Sequence, residues 1–268
     1  MPGTRANYRF DLVEIASVGL FCVLVGWVAI GYWLVDAWST WARESAALAA
    51  RYGPHRNSEH FEEWILRDFF GDKRGGFFVD VGASDYRKFS NTYYLEKELG
   101  WSGIAIDALP QFADGYRRNR PRTRFSAFFV SDRSDESVVL HVLPTNSLVS
   151  SEQRAFTERW GKEASQVRVP TITLDDLLTN EGVSSLDLLS MDVELAEPKA
   201  LAGFTISRYK PALVCIEAHP EVRQAILDYF AENSYVLVGK YLRADGHNLY
   251  FVPRGPPDTR PAVSNDVQ

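Results

Sequence analysis

Two short segments gather ionisable side chains in positions that suit chemistry. "LLSMDVEL" carries Asp192 and Glu194, and "VCIEAHPE" carries Glu217 and His219. Each group follows an apolar run with strand character, so the four side chains stand at the ends of two strands. In an open α/β sheet such ends adjoin the ligand crevice. A histidine is the natural proton acceptor near neutral pH, and a positioned base contributes about a hundredfold to ten-thousandfold in rate. His219 is therefore the expected base, with the three carboxylates around it and no metal. Two other readings stay open. The three carboxylates and the imidazole can hold a divalent cation, or His219 caps the helix that starts near Pro220.

A second set lies in "FFVDVGASDYRKFSNT", residues 77–92. Asp80 and Gly82 stand where an apolar strand ends, and Gly82 allows a turn to approach a ligand closely. A dinucleotide fingerprint needs G-x-G-x-x-G, which this stretch lacks. That argues against phosphate binding and against a nicotinamide-dependent oxidoreductase. A phosphate-free ligand in the same crevice would meet an acidic residue at the end of the next strand. Asp107, in "GIAIDAL", is placed for that role. Equally, Asp80 and Asp107 are ordinary strand-end caps. His55, His60, His141 and His247 are scattered, and nothing in their spacing marks a site.

These residues need a scaffold, and the chain shows one from residue 76 onward. The strand-like runs are "FFVDVGA", "GIAIDAL", "RFSAFFVSD", "LDLLSMDV", "PALVCIEAH", "YVLVGKYL" and "NLYFVPR". Helical segments separate the first five, which predicts an α/β domain with a mainly parallel sheet. Only "RADGH" separates the last two, which predicts a closing antiparallel pair. An insertion, roughly Val138 to Arg168, either covers the site or forms plain surface.

Upstream, residues 15–35 are uncharged and apolar. At 1.5 Å per residue such a run covers about 30 Å, the thickness of a bilayer core. Tryptophans at 33, 38 and 41 flank its end, as interfacial aromatics do. The expected organisation is a tail at 1–14, a transmembrane helix at 15–35, a helical linker at 36–75, the α/β domain at 76–254 and a disordered tail at 255–268. Net charge is −6 and the pI about 5.5, which disfavours nucleic acid as a partner. "RRNRPRTR", Arg117 to Arg124, is a basic cluster. It is read as a solvated loop or as a contact with anionic lipid.

"DVGA" followed by "SNT", then "LGWSGIAID", "DVE-x-AE" and "IEAHPEV", in that order, resemble the FkbM-type family of methyltransferases. The resemblance runs from about Gly76 to Phe251. It implies a Rossmann-like class I sheet, S-adenosylmethionine as cofactor, and methylation of a hydroxyl. By position, it assigns Asp80, Gly82 and Ala83 to the methionine end of the cofactor and Asp107 to the ribose. Asp132 would neighbour the adenine, and Ser90 and Asn91 would open a helix beside the site. Ser90 can equally be that helix's N-cap. Two positions depart from the family pattern. Ser84, Asp85 and Tyr86 occupy a stretch that usually holds a glycine, and Leu195 replaces the glycine of "DVEG".

Joined to the apolar run, the resemblance implies a single-pass membrane enzyme with its domain in the cytoplasm, where S-adenosylmethionine is kept. The acceptor would be a membrane-associated small molecule, lipid or glycan. The altered loops motivate an alternative, a methyltransferase-like scaffold among partner membrane subunits.

Overall fold

The structure is a computed structural model that describes residues 12–255. Two compact units divide the chain, residues 1–47 and 48–268. The expected tails at 1–14 and 255–268 fall almost entirely outside the described residues. Helix α1 (Leu12–Tyr52) contains the apolar run. The expected membrane span does not hold, because among the described residues no helix is long and apolar enough to cross a membrane. The apolar run is one part of a longer helix, and the same helix carries Asp36, Arg43, Glu44 and Arg51. The single-pass localisation falls with the span. So does the support for a lipid or glycan acceptor and for partner membrane subunits.

The rest of the expected linker turns at Gly53, whose φ is +92°, and re-forms as α2 (Glu62–Phe70). Ser58 Oγ accepts the Glu63 N–H at 3.1 Å, and Glu62 Oε2 accepts the His60 N–H at 2.8 Å. These bonds satisfy donors that a helix start leaves open.

The elements that follow alternate as the sequence predicts. They are β1 (Phe77–Val81), α3 (Tyr93–Lys97), β2 (Ser102–Asp107), α4 (Ala113–Asn119) and β3 (Thr123–Ala127). The third predicted strand is interrupted. Phe128 N–H closes on Asp107 O at 3.0 Å, and the chain re-forms as β4 (Phe129–Val130), which pairs with a different sheet. The insertion supplies β5 (Ser137–Leu143), β6 (Asn146–Ser151), α5 (Arg154–Thr157) and β7 (Ser165–Ile172). These make a four-stranded sheet in the order β4-β7-β5-β6.

The chain returns through α6 (Leu174–Asn180), β8 (Leu188–Met191), α7 (Glu197–Ala202), α8 (Ile206–Tyr209), β9 (Leu213–Glu217) and α9 (Arg223–Glu232). It ends with β10 (Tyr235–Leu237) and β11 (Asn248–Pro253). The predicted strand "YVLVGKYL" stops at Leu237, and a 3₁₀ turn occupies Gly239–Tyr241. β11 therefore crosses back to lie between β9 and β10, antiparallel to both.

The main sheet has seven strands in the order β10-β11-β9-β8-β1-β2-β3. Strand order reverses between β1 and β8, which makes their C-terminal ends the switch point of a Rossmann-like sheet. Side chains alternate across it. Val79, Val81, Leu189, Met191, Val214 and Ile216 pack on one face. Phe78, Leu188, Leu213 and Cys215 pack on the other, with Ile65 and Leu66 of α2. Burial on both faces explains the nearly unbroken apolar runs.

Most of the basic cluster is solvated, with Arg117, Arg118 and Arg124 exposed, and Arg120 alone of its arginines is buried. Arg117 and Arg118 reach Asp114, and Arg124 reaches Glu181. Arg120 is fully buried against Glu96. Its guanidinium also donates to Tyr86 O at 2.9 Å and to Thr92 O, Thr92 Oγ1 and Thr123 Oγ1, each at 3.2 Å. This fan of donors fixes the loop between β1 and α3 from behind.

Candidate active site

A cavity opens at the C-terminal ends of β1, β2, β8 and β9. Asp80, Gly82, Ala83, Ser90, Asn91, Asp107, Asp192, Glu194 and Glu217 all line it. The structure thus brings nine of the eleven expected site residues to one place. Asp132 and His219 are not on its wall. Asp132 is exposed and pairs with Ser131 and Arg133. The early end of β3 turns the chain into the second sheet before Asp132, and Phe128, Phe129 and Val130 line the cavity instead.

On the β1–β2 side, Asp107 is poised for hydroxyl donors. Its Oδ2 accepts the Ser84 N–H at 3.0 Å and its Oδ1 the Leu109 N–H at 2.8 Å. Each oxygen keeps a further acceptor site, since a carboxylate offers about four. Burial pushes its pKa up to about 6, against the two backbone donors. Asp80 lies deeper, buried and held by Thr92 Oγ1 at 2.7 Å, and burial raises its pKa. Ser90 is buried and takes the Thr92 N–H at 3.4 Å, while helix α3 has Thr92 at its N-cap. Asn91 Nδ2 donates to Ser190 Oγ at 3.1 Å, tying the loop to β8.

Gly82 also has a structural task beside its place on the cavity wall. Its φ is +80°, and a Cβ there would lie 1.6 Å from the Asp192 carbonyl oxygen. The glycine lets the β1 and β8 loops approach each other, so that both can form one wall. The N–H groups of Gly82 and Ala83 both point to Ile106 O, at 2.8 and 3.0 Å. They are not free for a phosphate. Gly82→Ala combines a left-handed backbone with a backbone clash. It is expected to lower stability by at least about 2 kcal/mol, read from urea unfolding. A wild-type midpoint in the variant would show that the two loops are not in contact.

At Ser84 and Leu195, in the two departures from the family pattern, the backbone is left-handed. Ser84 has φ +44° and Leu195 φ +78°, a conformation that costs a non-glycine residue about 1–2 kcal/mol. Leu195 does not enter the cavity. It is buried with Leu143, Val149 and Phe156 of the insertion, where apolar packing offsets the backbone cost. Ser84, the other departure, does line the cavity.

On the β8–β9 side the carboxylates crowd together. Burial raises the pKa of Asp192 well above the ordinary range, and Glu217, Glu194 and Glu197 add to the rise. The Asp192 side chain is exposed within the cavity, and like-charge repulsion alone gives the same direction. Burial also raises Glu194, against its hydrogen bond to His219, and raises Glu197 to about 7.

The surroundings of His219 favour its protonated form, which argues against the role of base. Its Nε2 meets Glu217 Oε2 at 3.1 Å and Glu194 Oε2 at 3.4 Å. These bonds, Glu194's first, raise its pKa to about 10. Both contacts favour the imidazolium of His219 over the neutral ring. Its backbone carbonyl accepts the N–H groups of Val222 and Arg223, which start α9. A folded-state pKa above the unfolded value of about 6.5 means that its ion pairs stabilise fully below that pH. Their contribution is lost as pH rises through about 10. An imidazole NMR titration is expected to show His219 still protonated at pH 8. A midpoint near 6.5 would restore it as a base.

Three groups escaped the sequence. His60 and His247 both line the cavity, with rings stacked at 4.0 Å and 10°. They are far apart in the chain, and the parallel bridge between Ser58 and Phe89 brings the first to the β1 loop. Glu197 stands in the "AE" of "DVE-x-AE", a visible signal passed over. The insertion covers the site, since Leu140, Ser147, Leu148 and Ser150 line the cavity.

The family model described as the methyltransferase FkbM domain matches residues 80–237, more than half of the chain. The chain belongs to this family. The match includes the ends of β1, β2, β8 and β9, where the cavity opens. A search of curated proteins found no match. Among solved structures, the chain is similar to a TehB-like SAM-dependent methyltransferase from Corynebacterium glutamicum. That pair shares 15% identity over 81% of this chain and 97% of the other, with a TM-score of 0.43. Similarity extends to 1,6-didemethyltoxoflavin-N1-methyltransferase from Burkholderia thailandensis, at 14% identity over 93% and 94% of the chains and a TM-score of 0.38. An O-methyltransferase from Bacillus cereus matches at 14% identity over 81% and 89%, with a TM-score of 0.39.

Proposed function

We propose that this FkbM-type methyltransferase transfers the methyl group of S-adenosylmethionine to a hydroxyl oxygen of a small molecule. The observation that carries the reading is one continuous cavity with Asp107 on one side and the Asp192 carboxylate cluster on the other. Asp107 accepts the ribose hydroxyls with the acceptor sites its two backbone bonds leave open. The methionine end runs past Asp80, Gly82 and Ala83 toward Asp192. The acceptor oxygen attacks the sulfonium methyl in line: a C–O bond forms as the S–C bond breaks, and its electrons stay on sulfur. The hydroxyl proton is released at the carboxylate cluster. Holding both reactants at van der Waals distance supplies much of the rate, and activating the oxygen supplies the rest.

Calorimetry with S-adenosylmethionine tests the cofactor half of this reading. Hydrogen bonds to a charged acceptor contribute about 1.5–3 kcal/mol, so Asp107→Ala is expected to weaken binding about tenfold to a hundredfold. Affinity of the wild-type protein is expected to fall as pH drops through about 6, where Asp107 takes up a proton. Equal affinity in wild type and variant would place the ribose elsewhere.

A further inference from the structure

The carboxylates beyond the cofactor side form two overlapping groups. Asp192, Glu197 and Glu217 each bring an oxygen within 4.8 Å of the other two. Glu194, Glu217 and His219 do the same with their own ligand atoms. The second group is balanced internally, because Nε2 of His219 lies between two carboxylates. The first group contains only acids.

Glu197 is the informative member. It has no exposed surface. Its Oε1 accepts the Val193 N–H at 3.0 Å, while its Oε2 has no hydrogen-bond partner. A buried acceptor left without a partner costs about 1–3 kcal/mol, and more if charged. Such an atom calls for an explanation in terms of a water, an ion or a catalytic role. Here it belongs to a carboxylate that shares its neighbourhood with two others on the wall of the cavity.

We propose that Asp192, Glu197 and Glu217 bind a hard divalent cation, Mg²⁺ or Mn²⁺, which polarises the hydroxyl oxygen of the methyl acceptor. The chemistry of the donor set is oxygen only, which suits Mg²⁺, Mn²⁺ and Ca²⁺ and disfavours metals that seek sulfur or nitrogen. The spacing agrees. Two oxygens on opposite sides of Mg²⁺, at about 2.1 Å each, stand about 4.2 Å apart, so oxygens that lie within 4.8 Å of one another close onto one ion with small side-chain rotations. Three protein ligands leave positions for water and for the acceptor oxygen. A cation there acts as a Lewis acid on that oxygen, at the end of the cavity away from Asp107. The role in transfer rests on the methyltransferase function proposed above; the binding of the cation does not.

Titration of the full chain with Mn²⁺, followed by EPR of the free ion and by calorimetry, tests the site directly. One Mn²⁺ per chain is expected. Glu197→Gln keeps an oxygen for the Val193 N–H and removes the charge, and is expected to weaken Mn²⁺ at least tenfold with an unchanged far-UV CD spectrum. Should Glu197→Gln not fold, Asp192→Asn, on the cavity wall, is expected to show the same loss. No Mn²⁺ bound, or equal affinity in wild type and folded variants, overturns the proposal. S-adenosylmethionine binding without Mn²⁺ binding would sink the cation alone. Mn²⁺ binding without S-adenosylmethionine binding would support the cation and sink the methyltransferase reading.

Discussion

Asp192→Asn is expected to cut methyl transfer by about a hundredfold to ten-thousandfold, the range a group that activates a nucleophile commands. The substitution keeps the shape of the side chain and removes a carboxylate able to take up the acceptor's proton from the densest part of the site. Asp192 lines the cavity, and three neighbouring carboxylates raise its pKa. Affinity for S-adenosylmethionine is expected to change less than about tenfold, because Asp107 anchors the far end of the cofactor. Loss of turnover with retained binding is what distinguishes a group at the reacting atoms from one that shapes the cofactor pocket. Turnover within a few-fold of wild type would move the reaction centre away from the ends of β8 and β9.

Arg120→Ala is expected to cost about 3–5 kcal/mol of stability, as breaking a buried ion pair from one side does. Glu96 would be left with a side chain only 2% exposed and without its cationic partner. Five further acceptors would lose their donor, among them Tyr86 O, Ser90 Oγ and Thr92 O in the loop that walls the cavity. Since whole domains hold only about 5–15 kcal/mol, the variant is expected to unfold at a much lower urea concentration. Arg120→Lys is expected to recover only part of the loss, because one ammonium cannot reach partners spread over a planar fork. A midpoint shift worth less than about 1 kcal/mol for Arg120→Ala would mean that the pair contributes nothing net.

The sheet was legible because its strands are buried on both faces, and that leaves an apolar run wherever a strand lies. Alternation of these runs with helical segments predicted the parallel part, and the short spacer predicted the antiparallel end. Where the pattern failed, tertiary contacts decided. "RFSAFFVSD" reads as one strand, yet Phe128 ends the main ladder and Phe129 and Val130 pair with Thr171 and Ile172. That switch displaced Asp132 from the site. The apolar run at 15–35 reads as a span in isolation, but it is a part of α1 and not a helix of its own.

Within the site, strand-end position carried Asp80, Asp107, Asp192, Glu194 and Glu217, because strand ends are visible in sequence. Protonation was not visible. His219 has the ordinary credentials of a base until Glu194 and Glu217 are found on the same nitrogen. His60 and His247 could not be paired from spacing, since their contact depends on how the segment before α2 and the turn before β11 meet. Leu195 shows the opposite case. The backbone there is left-handed, a conformation glycine adopts readily, and the side chain is taken up by the insertion.

A crystal structure of the protein with S-adenosylhomocysteine tests the central claim most directly. The predicted result has both ribose hydroxyls at about 2.7 Å from Asp107, with the sulfur directed toward Asp192 at the end of β8. A product bound outside the cavity, or inside it with the ribose away from Asp107, would contradict the account.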